Sequence, residues 1–120
     1  MQGVFSFALR AGVDKILKSG AVMDALRRRT KRYAQIVDLG CAPEGGIEVV
    51  VRLLGFSEEV RVVLSRAEVE ENGAWIRPTA LSADREGVDA LLKDFVQGKR
   101  FTLPEAAKPF AGPLRKFFSS

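Results

Sequence analysis

The chain has 120 residues, of which 47% are hydrophobic and 28% charged, a balance that predicts one folded domain (residues 1–120) and excludes a disordered chain. It has no histidine and one cysteine, Cys41, which excludes Ser-His-Asp and Cys-His nucleophiles, Cys/His zinc sites and an internal disulfide. Net charge is +6 over residues 1–35, −5 over 36–76 and +3 over 77–120, so the basic ends either pair with the acidic centre or bind anionic partners.

Residues 1–35 predict an amphipathic, basic helical segment, with one long helix over residues 3–34. Its apolar positions recur near the 3.6-residue period: Phe5, Leu9, Val13, Ile16, Met23 and Leu26. Gly20 lies inside this pattern and would permit a break into two helices. The helix either covers a sheet or lies on a membrane with Phe5 and Phe7 as anchors.

The end of this segment carries the densest run of positive charge in the chain. Five cations fall within six residues: Arg27, Arg28, Arg29, Lys31 and Arg32. Such a run binds phosphate groups of lipid or nucleic acid, and the alternative is a solvated helix end whose cations offset the helix dipole. Tyr33 is the one aromatic residue beside it, too few for a platform that stacks single-stranded bases.

Residues 36–81 predict a four-stranded antiparallel β-meander, because apolar residues alternate there with a period of two. Matching the apolar faces of the second and third strands pairs Val49 with Leu64, and so places Val51 opposite Val62 and Leu53 opposite Val60.

Three local signals refine this meander. Asn72-Gly73 predicts a type I′ turn that sets Val69 opposite Ile76. A change of apolar phase near Ser65 predicts a β-bulge, since an extra residue keeps both halves of the strand facing the core. Pro78 lacks an N–H and predicts an edge at that point of the last strand.

The opposite face of the predicted sheet is not cleanly polar. Four large side chains fall on it: Val50, Leu54, Val63 and Trp75. A helix, a ligand or a second subunit would cover them, and as exposed residues they form a candidate partner interface for a homodimer.

Residues 82–120 predict a helical C-terminal segment. A helix through Gln97 carries a wide apolar stripe that is expected to pack on the sheet: Val88, Leu91, Leu92, Phe95 and Val96. Phe117 and Phe118, beside two cations, suit a membrane interface or a partner groove, and the alternative is a place against the core.

No catalytic or metal-binding pattern is present, so the chain is predicted not to be an enzyme and to need no cofactor. The carboxylates Glu68, Glu70 and Glu71 cluster next to a turn, where solvated side chains are expected. No apolar run approaches the roughly 20 residues that span a bilayer. The first residues also lack the pattern of a signal peptide, which predicts a cytoplasmic protein, peripheral at most to the inner membrane surface.

The sequence therefore predicts an α+β domain: a four-stranded meander packed by a long N-terminal helix and a second helix near the C-terminus. This layout resembles lipid-carrier domains at the level of the fold alone. The first hypothesis is a non-enzymatic module that binds a lipid or another apolar ligand, with the basic run and Phe117-Phe118 at its site. The alternatives are a protein-interaction domain acting as a homodimer or within a larger assembly and, third, nucleic-acid binding through the basic run.

Overall fold

A computed structural model of the chain describes residues 11–18, 20–55 and 57–119, with the side chains of residues 21, 29, 106 and 119 left undescribed. In chain order its helices and strands are α1 (described over residues 11–17), α2 (Gly20–Thr30), β1 (Ala34–Cys41), β2 (Ile47–Leu53), β3 (Glu59–Val69), β4 (Trp75–Ala83), α3 (Glu86–Phe95), β5 (Phe101–Thr102) and α4 (Ala111–Ser119). A 3₁₀-helix, Glu105–Phe110, leads into α4. The predicted α+β class is confirmed.

The strands form one curled antiparallel sheet in the order β1-β2-β3-β4-β5. Each strand pairs with the next one in the chain, as the predicted meander requires. The prediction of four strands is wrong by one, because β5 follows α3 and pairs Phe101 with Ile76 and Thr102 with Trp75. A strand of two residues has no alternation from which it could be predicted.

One predicted strand register is confirmed and one is wrong. Val69 lies opposite Ile76, as the Asn-Gly signal predicts. Val49, however, pairs with Val62 rather than with Leu64, so the β2-β3 pairing is displaced by two residues. A shift of two leaves every side chain on its predicted face, because the side-chain period of a strand is two.

The turn between β3 and β4 differs from the predicted type I′ turn. Gly73 has φ +82°, but no described non-glycine residue has a positive φ, so Asn72 does not take the required conformation. Instead the Gly73 N–H donates to the carbonyl of Glu70 at 2.9 Å. The Glu70 carboxylate accepts the N–H groups of Asn72 and Ala74, both at 2.9 Å, and so closes the loop of residues 70–74 before Trp75.

The predicted bulge in β3 is confirmed. The pairing of β3 with β4 shifts between Leu64 and Arg66 and again between Arg66 and Ala67. A second irregularity lies in β1, between Ile36 and Asp38. Bulges bend a strand and increase its twist, which accounts for the curl of the sheet.

The predicted single helix over residues 3–34 is interrupted, because the described part of α1 ends at residue 17 and α2 runs from Gly20 to Thr30. The interruption lies where Gly20 was expected to permit a break. The anchors proposed for a membrane-lying helix, Phe5 and Phe7, lie outside the described residues. Asp14 of α1 accepts the N–H of Cys41 at 2.9 Å and so ties this helix to the end of β1. The described part of the N-terminal segment therefore packs on the sheet.

The core lies between the sheet and the helices α1, α2 and α4. Its buried side chains come from all of these elements and from the 3₁₀ region: Val13, Leu17, Val22, Leu39, Ile47, Val69, Leu103, Ala107, Ala111 and Leu114. Val13 is 1% exposed and Leu39 2% exposed. This face of the sheet is thus occupied by side chains of the chain itself.

The helix α3 packs on β4, but its apolar stripe is only partly covered. Val88 and Leu92 are half-buried, whereas Leu91 is 58% exposed and Phe95 63% exposed. The expectation that the whole stripe packs on the sheet is therefore wrong.

The helix α3 and the residues after it also cover the open side of β4, which β5 reaches only at its first two residues. The Asp89 carboxylate accepts the N–H of Ala83 at 2.9 Å, and the Gln97 amide oxygen accepts the N–H of Leu81 at 3.0 Å. Pro78 lies beyond the residues that β5 pairs with, in agreement with its predicted edge position.

Candidate functional site

Two surfaces of the molecule carry residues that the sequence singled out. The first is the basic surface of α2, which we define as Arg27, Arg28, Lys31 and Arg32. All four side chains are exposed. Three of them line a shallow groove of about 390 Å³, together with Asp24. Positions 24, 27 and 28 share one face of α2 and Lys31 follows its last residue, while Val22 and its neighbours on the other face enter the core. The side chain of Arg29 is not among the described ones.

Exposed apolar side chains lie directly beside the basic surface. Tyr33, 68% exposed, follows α2, and Leu54, 58% exposed, follows β2. The Leu54 N–H donates to the carbonyl of Tyr33 at 2.9 Å, so the two residues are neighbours at one end of the β1-β2 pair. We call Tyr33 and Leu54 the apolar tip.

The acidic residues of the sheet are paired with arginines of the sheet and its flanks. Arg61 of β3 binds Glu48 at 2.9 Å and also binds Glu44, and these two hydrogen bonds raise the pKa of its guanidinium above the ordinary value. The other sheet pairs are Arg77 with Glu68, Arg52 with Glu59 and Arg85 with Glu58. By contrast, within the described chain no carboxylate lies within ion-pair distance of the basic surface of α2. The negative charge of the sheet is thus largely balanced locally.

The second surface is an open pocket of about 510 Å³ where α4 crosses β3 and the start of β4. We call it the α4 pocket. Its apolar wall consists of Ala67, Val69, Trp75 and Phe118. The polar residues of its lining are Glu68, Arg115 and Lys116, and Gly112 of α4 completes it.

Two contacts of aromatic side chains lie at this pocket. The guanidinium of Arg100 lies 4.2 Å from the centroid of the Trp75 ring, a cation–π contact. Phe118 meets Phe117 edge to face, with ring centroids 5.2 Å apart, and both pack against the core while Phe118 also faces the pocket. Both phenylalanines thus pack against the core, which is one of the places predicted for them, and their role at a membrane interface stays a prediction.

The field around the α4 pocket is positive. Arg115, Lys116 and Arg100 are cations, and the carboxylate of Glu68 is already paired with Arg77. Hydrogen bonds from the N–H groups of Ala74 and Asn72, with the charge of Arg115, hold the pKa of Glu70 below its ordinary value of 4.5. Glu70 is therefore a carboxylate at neutral pH, engaged by its own loop.

The predicted ligand residues do not form one site. Arg27, Arg28 and Lys31 line the groove on α2, and Phe118 lines the α4 pocket, so the basic run and the C-terminal phenylalanines belong to different surfaces. Sequence reasoning missed Arg100 and Arg115, and nothing in their local pattern places them next to Trp75.

The predicted partner interface is also divided. Val63 is 7% exposed and is covered within the chain, which removes it from a set expected to be exposed. Val50 and Trp75 are half-buried, and Trp75 lines the α4 pocket. Leu54 belongs to the apolar tip.

Two further observations concern metal binding and membrane crossing. In residues 11–18, 20–55 and 57–119, no group of three or more histidine, cysteine, aspartate or glutamate side chains is arranged to hold a metal ion. None of the helices described there is long and apolar enough to cross a membrane.

Comparison of the chain with known protein families, with curated proteins and with solved structures finds no match.

Proposed function

We propose that the protein is a non-enzymatic module that binds to an anionic lipid surface through the basic surface of α2 and the apolar tip. The observation that carries this proposal is the juxtaposition of four exposed cations with exposed Tyr33 and Leu54. Cations attract anionic head groups, and a tyrosine and a leucine beside them enter the boundary between head groups and acyl chains.

The position of the core favours a surface over an internal lipid cavity. The side chains of α1, α2 and α4 fill the covered face of the sheet, with Val13 and Leu39 almost completely buried. A lipid tail there would have to displace several of them, at a cost of about 2–5 kcal/mol for each large side chain. Binding at the exterior requires no such rearrangement.

Nucleic acid is the competing anionic partner, and the apolar tip favours a lipid surface over it. One tyrosine offers a single stacking surface, and leucine offers none. An aliphatic side chain that is 58% exposed beside several cations instead matches the amphipathic pattern of membrane-interface segments.

The test is flotation of the purified protein with vesicles of phosphatidylglycerol and phosphatidylcholine, against vesicles of phosphatidylcholine alone, at low and moderate salt. We expect binding to the anionic vesicles, weakened by salt. The double variant Arg27→Gln/Lys31→Gln should bind about 30-fold more weakly, because each cation near such a surface contributes about 1 kcal/mol. Replacing Tyr33 and Leu54 by serine should also weaken binding.

Matched control variants distinguish binding through this surface from non-specific electrostatic or hydrophobic binding to vesicles. Arg66→Gln/Lys99→Gln removes the same two charges elsewhere, and Leu91→Ser removes a leucine with the same 58% exposure as Leu54. Both controls should bind like the parent protein. Equal losses in the control and test variants would refute the proposal. So would salt-sensitive binding to duplex RNA that ignores the Tyr33 and Leu54 changes, since that result supports a nucleic-acid module.

The homodimer remains the alternative prediction, and Leu54 is its most exposed member. A concentration-dependent mass that Leu54→Ser abolishes, without any vesicle binding, would favour it.

A further inference from the structure

We propose that the α4 pocket is a second binding site, for a small amphipathic anion: one carboxylate, sulfonate or phosphate group on a flat or chain-like apolar body. The proposal rests on the pocket formed by β3, β4 and α4, and it is independent of the membrane-binding surface proposed for α2.

The pocket has the size and lining of a small-molecule site. Its volume of about 510 Å³ lies inside the range of about 300–1,000 Å³ that is typical of ligand pockets. Trp75 and Phe118 offer aromatic surface, and Val69, 7% exposed, adds an aliphatic side chain to the lining. An apolar body placed there would lose water from the side that faces these residues.

The charges at the pocket select an anion. Arg115 and Lys116 lie in its lining, and Arg100 rests on the ring of Trp75. The one carboxylate in the lining, Glu68, is paired with Arg77 of the neighbouring strand. An anionic group beside the apolar wall would compete with Glu70 for the charge of Arg115 and could accept a hydrogen bond from that guanidinium. Charge-assisted bonds of this kind are the strong ones.

Gly112 provides a way to fill the pocket without distorting the protein. A Cβ atom added to Gly112 would meet no atom within 4 Å, and the residue lies in the lining. Gly87 of α3 is equally open but lies outside the pocket. The pair Gly112→Leu and Gly87→Leu thus places the same side chain inside and outside the site.

Trp75 is the only tryptophan of the chain, so its fluorescence reports on this pocket directly. The probe is 8-anilino-1-naphthalenesulfonate, compared with N-phenyl-1-naphthylamine, which has the same aromatic body without the anionic group. We expect the sulfonate to bind one molecule per chain and to quench Trp75, and the neutral amine to bind more weakly. Displacement by decanoate and by 2-naphthoate then distinguishes an acyl chain from a flat ring as the natural body.

Three variants locate the binding. Arg115→Gln should weaken it about tenfold, the effect expected on losing a charge-assisted hydrogen bond. Gly112→Leu should abolish it, and Gly87→Leu should leave it unchanged. Circular dichroism and thermal unfolding verify that each variant is folded. Binding that ignores both Arg115→Gln and Gly112→Leu, or equal affinity for the neutral amine, would overturn the proposal, and so would the absence of saturable binding.

The same variants separate the two proposals. Arg115→Gln and Gly112→Leu should leave vesicle flotation unchanged, and Arg27→Gln/Lys31→Gln should leave probe binding unchanged.

Discussion

Replacing Gly46 by alanine should destabilise the protein strongly, whereas the same change at Gly45 should not. Both glycines lie in the loop between β1 and β2 and have a positive φ, +86° at Gly46 and +108° at Gly45. A Cβ on Gly46 would overlap the carbonyl oxygen of Leu64 and lie 2.9 Å from the Cα of Ser65. A Cβ on Gly45 would meet nothing within 4 Å.

The two costs can be separated from this geometry. A non-glycine residue in the left-handed region costs about 1–2 kcal/mol, and this cost applies to both variants. At Gly46 the overlap is with backbone, which a rotamer change cannot relieve, so an overpacking cost of about 1–3 kcal/mol is added. We expect a loss of about 2–5 kcal/mol for Gly46→Ala and about 1–2 kcal/mol for Gly45→Ala.

The assay is equilibrium unfolding in guanidinium chloride, followed by the fluorescence of Trp75 and by circular dichroism. The free energies of unfolding of both variants are compared with that of the parent by linear extrapolation. If Gly46→Ala costs no more than Gly45→Ala, then the loop does not approach the bulge of β3 as closely as described, and the reasoning is wrong.

Two more predictions use the same assay. Leu39→Ala should lower the free energy of unfolding by about 2–5 kcal/mol, because the side chain is 2% exposed. Leu91→Ala, at 58% exposure, should stay within about 0.5 kcal/mol of the parent. Similar losses at the two sites would contradict the assigned burial. The hydrogen bonds that lower the pKa of Glu70 stabilise the fold fully above pH 4.5 and are lost as the pH falls through the lower folded-state pKa. Glu70→Gln should therefore reduce the loss of stability below pH 4.5, and an unchanged acid profile would count against the loop contacts.

The sequence predicted correctly which face of a strand a residue occupies. It did not predict the type of turn between β3 and β4 or the register of β2 with β3. Val69 and Ile76 pair as predicted from Asn72-Gly73, although the turn is of another type, because the hydrogen bond from Glu70 to Trp75 keeps the same register. The predicted partner of Val49 was wrong by two residues because the segment between β2 and β3 carries no short turn signal. The alternation of apolar residues is satisfied equally well by a pairing two residues away.

The candidate surfaces depended on contacts distant in the chain. The spacing of Arg27, Arg28 and Lys31 predicts their common helix face. The contact of Tyr33 with Leu54 follows from pairing between the ends of β1 and β2, which a helical pattern ending near residue 34 does not reveal. The α4 pocket joins Trp75 to Arg115 across 40 residues of chain, and no local pattern specifies where α4 lies.

The way in which the sheet ends has a consequence for self-association. An open strand edge presents unpaired N–H and carbonyl groups and so acts as a template for other chains, which leads to aggregation. Here Asp89 and Gln97 take the hydrogen bonds that an added strand would make to Ala83 and Leu81, and Asp14 takes that of Cys41 at the end of β1. Loss of Asp89 or Gln97 would uncover a length of β4 and favour growth of the sheet from one molecule into the next. These side chains therefore protect the folded protein from polymerising by strand addition at the edges that they cover.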